Sequence, residues 1–133
     1  MPLDTTSYEI PVARSAADLR EAVTAWREDG HTVALVPTMG ALHAGHISLV
    51  ELAKQKADRV IVSIFVNPTQ FAPNEDFSAY PRTEAADAEK LEGKANLIFA
   101  PDAADMYPDG FSTTVSLTGV TEPLEGTFRP THF

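Results

Sequence analysis

The chain has 133 residues, 44% of them hydrophobic, a formal charge of −9 and no cysteine. Such a composition supports one domain with a core and excludes a disordered chain, a disulfide scaffold and thiol chemistry. The acidic balance excludes a nucleic-acid backbone binder, which needs clustered Lys and Arg. Met1-Pro2-Leu3-Asp4 is not a basic segment leading into an apolar one, so no signal peptide is expected. The longest apolar run, around Val60 to Val66, is too short to span a bilayer. The expectation is a soluble, cytoplasmic protein with no membrane or nucleic-acid partner.

Residues 1–7 are polar and read as a loose terminus. Tyr8 to Val12 fits a short edge strand, the one place where Pro11 is tolerated. Ser15 is an N-cap candidate with Asp18 three residues on, and Leu19, Ala22, Val23 and Trp26 then form one helical stripe that Gly30 ends. Trp26 on that stripe reads as core, not as a base-stacking surface.

A β-type run, Thr32 to Val36, is predicted to stop at Pro37, which has no N–H for a ladder. Gly40 and Gly45 then allow a tight turn, and a helical pattern opens at His46, with Ile47, Val50 and Ala53 on one face, through about Ala57. Strand, glycine turn and helix start together bring free N–H groups and the positive end of a helix dipole to one place, which suits phosphate. His43 and His46 stand there as His-x-Gly-His, able to donate to phosphate oxygens. A bare pair at this spacing arises often by chance; the strand before it, the two glycines and the helix after it favour a site. A zinc site would need more ligands than His31 and His132 can add.

Arg59 to Val66 is a near-continuous apolar strand of the kind buried on both faces of a parallel sheet. Thr83 is predicted to cap a third helix reaching Glu92 and ended by Gly93, and Asn96 to Ala100 is the next strand. This alternation implies an α/β fold with right-handed crossovers and a Rossmann-like parallel sheet, with ligands beyond the carboxyl ends of its strands. The long connection from Asn67 to Arg82 leaves one of those ends, and Asn67 and Gln70 are amides able to bind a carboxylate or hydroxyl without adding charge. From position alone, a turn initiator at Asn67-Pro68 and a solvated Gln70 are equally good readings.

Asp102 to Asp105 reads as solvated surface and Met106 to Gly110 as a turn. Phe111, Thr113, Val115 and Leu117 alternate with Ser112, Thr114 and Ser116, which predicts a short extra strand near the carboxyl end with one apolar face.

Pro37-Thr38-Met39-Gly40-Ala41-Leu42-His43-Ala44-Gly45-His46 resembles the nucleotide motif of the pantothenate synthetase family, within the wider His-x-Gly-His nucleotidyltransferase type. Phe65 to Phe71, Tyr80-Pro81-Arg82-Thr83, Met106-Tyr107-Pro108 and the segment from Glu125 to Phe133 resemble the same family. The resemblance covers nearly all of this chain but only about the first half of a family member. It therefore implies an amino-terminal nucleotide- and pantoate-binding domain, residues 1–133, without the carboxyl-terminal domain. One departure is Thr131, where many relatives have glycine.

The implied activity is ATP-dependent condensation of pantoate with β-alanine through a pantoyl adenylate, with Mg²⁺ accompanying ATP and a homodimer formed by the full-length enzyme. The resemblance assigns Pro37 to His46 to ATP, and His43 and His46 to its phosphates; His46, at the predicted helix start, is the better proton donor of the two. The resemblance places Met39, Asn67 and Gln70 on pantoate, and Gln70 also on β-alanine. Arg129 would meet a phosphate or the pantoate carboxylate, or else pair with a surface acid. Asp87 matches an acidic position near the family's metal, or is simply a first-turn helix carboxylate favoured by the dipole. Two rival readings are a class I aminoacyl-tRNA synthetase module, which the acidic balance and the Gln70 segment oppose, and a non-catalytic binding domain.

Overall fold

Four parallel strands carry the fold in the computed structural model, which describes residues 8–71, 75–79, 82–129 and 132. The order along the chain is β1 (Val12–Ala13), α1 (Ala16–Glu28), β2 (Val33–Thr38), α2 (Ala44–Lys56), β3 (Arg59–Ile64), α3 (Glu84–Leu91) and β4 (Leu97–Phe99). Single-turn helices follow at α4 (Ala103–Met106) and α5 (Glu125–Phe128), and 3-10 turns lie at Pro68–Gln70 and Phe77–Ala79.

In the sheet the strands lie β1-β4-β3-β2. The chain crosses from one edge to the other through α1 and returns strand by strand through α2 and α3. Right-handed crossovers running in opposite directions place their helices on opposite faces. The side chains bear this out. Val60 and Val62 pack with Val50 of α2 and Leu91 of α3, while Ile61 between them packs with Ala22, Leu19 and Trp26 of α1. Both faces of β3 are therefore covered, as its apolar run predicts, and Trp26 packs half-buried against the core.

The ends of α1 follow the sequence closely. Ser15 Oγ accepts the Asp18 N–H at 3.1 Å. At the other end Gly30 takes φ +82°, with the His31 N–H on the Trp26 carbonyl and the Gly30 N–H on that of Arg27, a Schellman stop.

Four expectations are corrected. Strand β2 continues through Pro37 to Thr38. The carbonyls of Thr32 and Thr38 accept from Arg59 and from Phe65 just past β3, so even-numbered residues face β3 and Pro37 turns its N–H-less side to the open sheet edge, where no ladder bond is lost. Helix α2 opens at Ala44, not His46, because His43 itself is the N-cap. Thr83 stands at the N-cap of α3 without a side-chain capping bond, since its Oγ1 donates instead to Asp87 at 3.2 Å. The extra strand at 111–117 does not form: Phe111, Val115 and Leu117 are exposed and lie in irregular chain. Alternation becomes a strand only where a partner edge takes up its hydrogen bonds, and no described residue supplies one.

Candidate functional site

The site is built where β2 ends. Thr38 Oγ1 donates to the Ser63 carbonyl at 2.8 Å and accepts the Gly40 N–H at 3.1 Å, tying the end of β2 to β3 and starting the turn. Gly40 has φ +83°, and a Cβ there would lie 3.1 Å from Ile64 Cγ2 and 3.2 Å from Asp87 Oδ2. Ala41 follows at φ +51°, a left-handed conformation costly for a residue with a Cβ. Asp87 of α3, fully buried, holds it there, with Oδ2 accepting from Ala41 N–H at 3.0 Å and Oδ1 from Leu42 N–H at 2.8 Å. Lys90, one turn on, donates to the Leu42 carbonyl at 2.8 Å.

The two histidines cap α2 reciprocally. His43 Nδ1 accepts the Gly45 N–H at 3.0 Å, and His46 Nδ1 accepts the His43 N–H at 3.1 Å. Gly45 makes this possible, since a Cβ there would fall 2.8 Å from His43 Cε1. The rings lie tilted with centroids 4.1 Å apart. An imidazole nitrogen that accepts cannot carry the proton, so each neutral ring presents Nε2–H as a donor. Burial first, then the neighbouring His43, hold the His46 pKa below the ordinary histidine value, with Asp87 pulling the other way. Near neutral pH His46 is thus an uncharged donor at the positive end of a helix.

Beside it lies a cavity of about 680 Å³, lined by Pro37, Thr38, Met39, Gly40 and His46 from the junction and by Asn67 and Gln70 from the loop after β3. Among the described residues no charged side chain lines it; Phe65, Phe99 and Met106 form an apolar wall. His43 stands exposed next to His46, and neither ring is in the core. Asn67 Oδ1 accepts from Thr69 N–H, Thr69 Oγ1 and, at 2.9 Å, Tyr107 Oη, which leaves the amide nitrogen as its donor. The Gln70 side chain has no hydrogen-bond partner among the described residues, while its carbonyl accepts from Arg129 Nη2 at 3.1 Å.

Arg129 itself is not in the cavity wall. It grips Glu75 through Nε at 2.7 Å and Nη2 at 2.6 Å, and these bonds raise its already high pKa. The surface-acid alternative is the arrangement seen. Asp87 lines a neighbouring cavity of about 460 Å³ together with Met39, Gly40 and Thr83. Both its oxygens are taken by N–H groups, and among the described residues no group of three or more His, Cys, Asp or Glu could hold a metal ion. Sequence reasoning missed that loop-holding role, and it missed Tyr107 as the anchor of Asn67. One signal for Asp87 was available: it shares a helix face with Leu91, four residues on, in the buried stripe of α3.

A parallel Rossmann-like sheet with reciprocally capped His-x-Gly-His at the helix start after β2 defines the nucleotidyltransferase class of nucleotide-binding folds. Comparison with known proteins narrows the class. A sequence profile described as pantoate-beta-alanine ligase matches residues 11–133, and the chain belongs to that family. Pantothenate synthetase of Rhodospirillum rubrum is 62% identical over 125 residues, covering 93% of this chain and 44% of that protein. That of Caulobacter vibrioides is 62% identical over 123 residues, covering 92% and 43%. The crystal structure of pantothenate synthetase from Thermus thermophilus superposes with a TM-score of 0.81 at 42% identity, covering 92% of this chain and 43% of that one. Pantoate-beta-alanine ligase from Francisella tularensis, complexed with beta-gamma ATP and beta-alanine, gives 0.82 at 40% identity, covering 91% and 47%. The chain thus spans less than half the length of these relatives.

Proposed function

We propose that this chain is the amino-terminal, ATP- and pantoate-binding part of a cytoplasmic ligase that joins pantoate to β-alanine. The observation that carries the reading is the reciprocal His43–His46 cap beside a cavity that also holds Met39, Asn67 and Gln70. The Francisella tularensis relative with beta-gamma ATP and beta-alanine supports it.

In this reading a pantoate carboxylate oxygen attacks the α-phosphorus of ATP, the bond to the bridging oxygen breaks, and diphosphate leaves. The β-alanine amine then attacks the acyl carbon of the pantoyl adenylate, loses a proton and expels AMP. Such phosphoryl chemistry depends on positioning and on stabilising charge at phosphate oxygens. Residues 37–46 run along the nucleotide, with the Nε2–H donors of His46 and His43 directed to phosphate. Met39 packs on the gem-dimethyl group of pantoate. Asn67 and Gln70 orient pantoate, and Gln70 later receives β-alanine. Arg129 acts through the Gln70 backbone it holds. Mg²⁺ would accompany ATP on its phosphate oxygens, and no protein ligand is assigned to it.

The partners are these small molecules and, in the full-length protein, a second copy that covers the exposed side chains of Phe111, Val115 and Leu117. No helix among the described residues is long and apolar enough to cross a membrane.

The test uses the full-length protein that carries this chain, with α-phosphate-labelled ATP. Pantoate alone should yield an enzyme-held adenylate, and β-alanine should convert it to pantothenate and AMP. Label transfer that ignores pantoate would refute the assignment.

A further inference from the structure

We propose that Asp87 is a positioning residue for the phosphate-binding junction, acting through the backbone of Ala41 and Leu42 and not through a metal ion. The proposal rests on the reading of that junction as an ATP site. Asp87 is the one charged residue fully buried among those described, and a carboxylate is carried into a core only where its oxygens are met. Here Oδ1 receives the Leu42 N–H at 2.8 Å, and Oδ2 receives the Ala41 N–H at 3.0 Å and the Thr83 hydroxyl at 3.2 Å.

Two successive N–H groups converge on one carboxylate here because Ala41 is bent to φ +51°. No glycine relieves that bend, so the carboxylate must hold it. The same helix also secures the far side of Leu42, where Lys90 Nζ donates to its carbonyl at 2.8 Å. An acceptor on α3 thus fixes the peptide before Leu42 and a donor on α3 fixes the one after it. The Leu42 side chain, 3% exposed, anchors the segment in the core. The next residue is His43, the N-cap of α2, whose N–H is in turn the partner of His46 Nδ1. The torsions of residues 41 and 42 therefore set where both imidazoles stand. Gly40 leaves room for this, since any Cβ there would press within 3.2 Å of Asp87 Oδ2.

The experiment is amide hydrogen exchange and magnesium–ATP titration by NMR on the isotope-labelled chain. Asp87→Asn preserves size but offers N–H where an N–H already points. Exchange at Ala41 and Leu42 should quicken by about tenfold or more, and ATP affinity should fall by about tenfold, the scale set by one unsatisfied buried donor. Adding Ala41→Gly to Asp87→Asn should recover most of the affinity, because glycine reaches the left-handed bend unaided. Lys90→Gln, an exposed change that spares the core, should give the same pattern at smaller size even if Asp87→Asn fails to fold. Unchanged exchange at residues 41 and 42 in either single variant would overturn the proposal. So would affinity restored by excess Mg²⁺ but not by Ala41→Gly. If the unsubstituted chain shows no ATP response, the ATP reading fails, while the exchange data still decide the role of Asp87.

Discussion

His46 holds His43: its Nδ1 accepts the His43 main-chain N–H at 3.1 Å, while the His43 ring caps the Gly45 N–H at 3.0 Å. The pair is structural, and under the proposed function it is chemical as well, so substitutions should separate the two roles. His43→Asn keeps a capping oxygen, so its melting temperature should stay near that of the parent chain. His43→Ala should cost about 0.5–2 kcal/mol, the usual loss for an emptied N-cap. Both remove an Nε2–H donor, so adenylate formation in the full-length protein should fall in both. If Asn destabilises as much as Ala, as read by thermal denaturation, the capping role is wrong.

His46 supplies the stronger kinetic test. His46→Gln retains a side chain suited to the third helical position of a capping box, yet loses the ring donor. Loss of one transition-state donor lowers the rate by about a hundred- to a thousand-fold. Single-turnover adenylate formation should drop on that scale with pantoate affinity little changed. An unaltered single-turnover rate would remove His46 from the chemistry.

The same residue fixes a pH dependence. Burial, then the neighbouring His43, lower the His46 pKa below its unfolded value of 6.5. Just below that pH the unfolded chain binds more protons than the folded one, so stability rises with pH there. The His46 contribution is complete above the unfolded value and is lost as pH falls through the folded one. Melting temperatures taken from about pH 7 to about pH 5 should fall more steeply for the parent chain than for His46→Gln. Parallel curves would contradict this.

How much of this was legible in the sequence depends on what each feature needs. The α1 stripe from Leu19 to Trp26 and the apolar run of β3 depend on local periodicity, and both stand where the pattern puts them. The junction from Pro37 to His46 was legible as strand, turn and helix start. Its details were not. Whether Pro37 ends a strand depends on which way its missing N–H would point, and that is known only once β2 is an edge strand paired on one side. Histidine is not among the usual N-cap residues, so α2 seemed to start two residues late. Phe111 to Leu117 has the period of a strand, but a period does not supply a partner. Asp87 looked like a first-turn acid because nothing local shows that Ala41 and Leu42, more than forty positions away, need an acceptor.

Gly40→Ala tests the closeness of that packing. The residue must hold φ +83°, and its new Cβ would press on Ile64 and Asp87 at 3.1 and 3.2 Å. The left-handed backbone alone costs about 1–2 kcal/mol for a residue with a Cβ. Thermal unfolding should show at least that loss, together with faster amide exchange at Ala41. A variant as stable as its parent would mean that the turn relaxes freely.

Gln70→Ala should behave in the opposite way. Its side chain has no partner among the described residues, so stability should hold within about 0.5 kcal/mol. In the full-length protein the affinities for pantoate and β-alanine should both weaken, because the ligand's polar groups would face an apolar methyl. Loss of stability without loss of affinity would assign Gln70 to the scaffold.

The last expectation concerns the 133-residue chain itself: it folds but does not turn over. Folding follows from the layers already complete around β3 and from the stops at Gly30 and Gly93, both left-handed as a helix end requires. Catalysis, in the proposed reading, needs a second wall. The cavity reaches Leu35 on the open edge of β2, where that side chain is 57% exposed. In the proposed reading His43 and His46 would grip ATP from one side only, leaving the α-phosphorus neither fixed in line with the pantoate carboxylate nor shielded from water. Positioning of that kind carries about 7–11 kcal/mol of a barrier, so its absence is decisive for the rate. The chain mixed with ATP, Mg²⁺, pantoate and β-alanine should release no AMP above background, while the full-length protein does. AMP release by the short chain at a comparable rate would show that β2's open edge needs no cover.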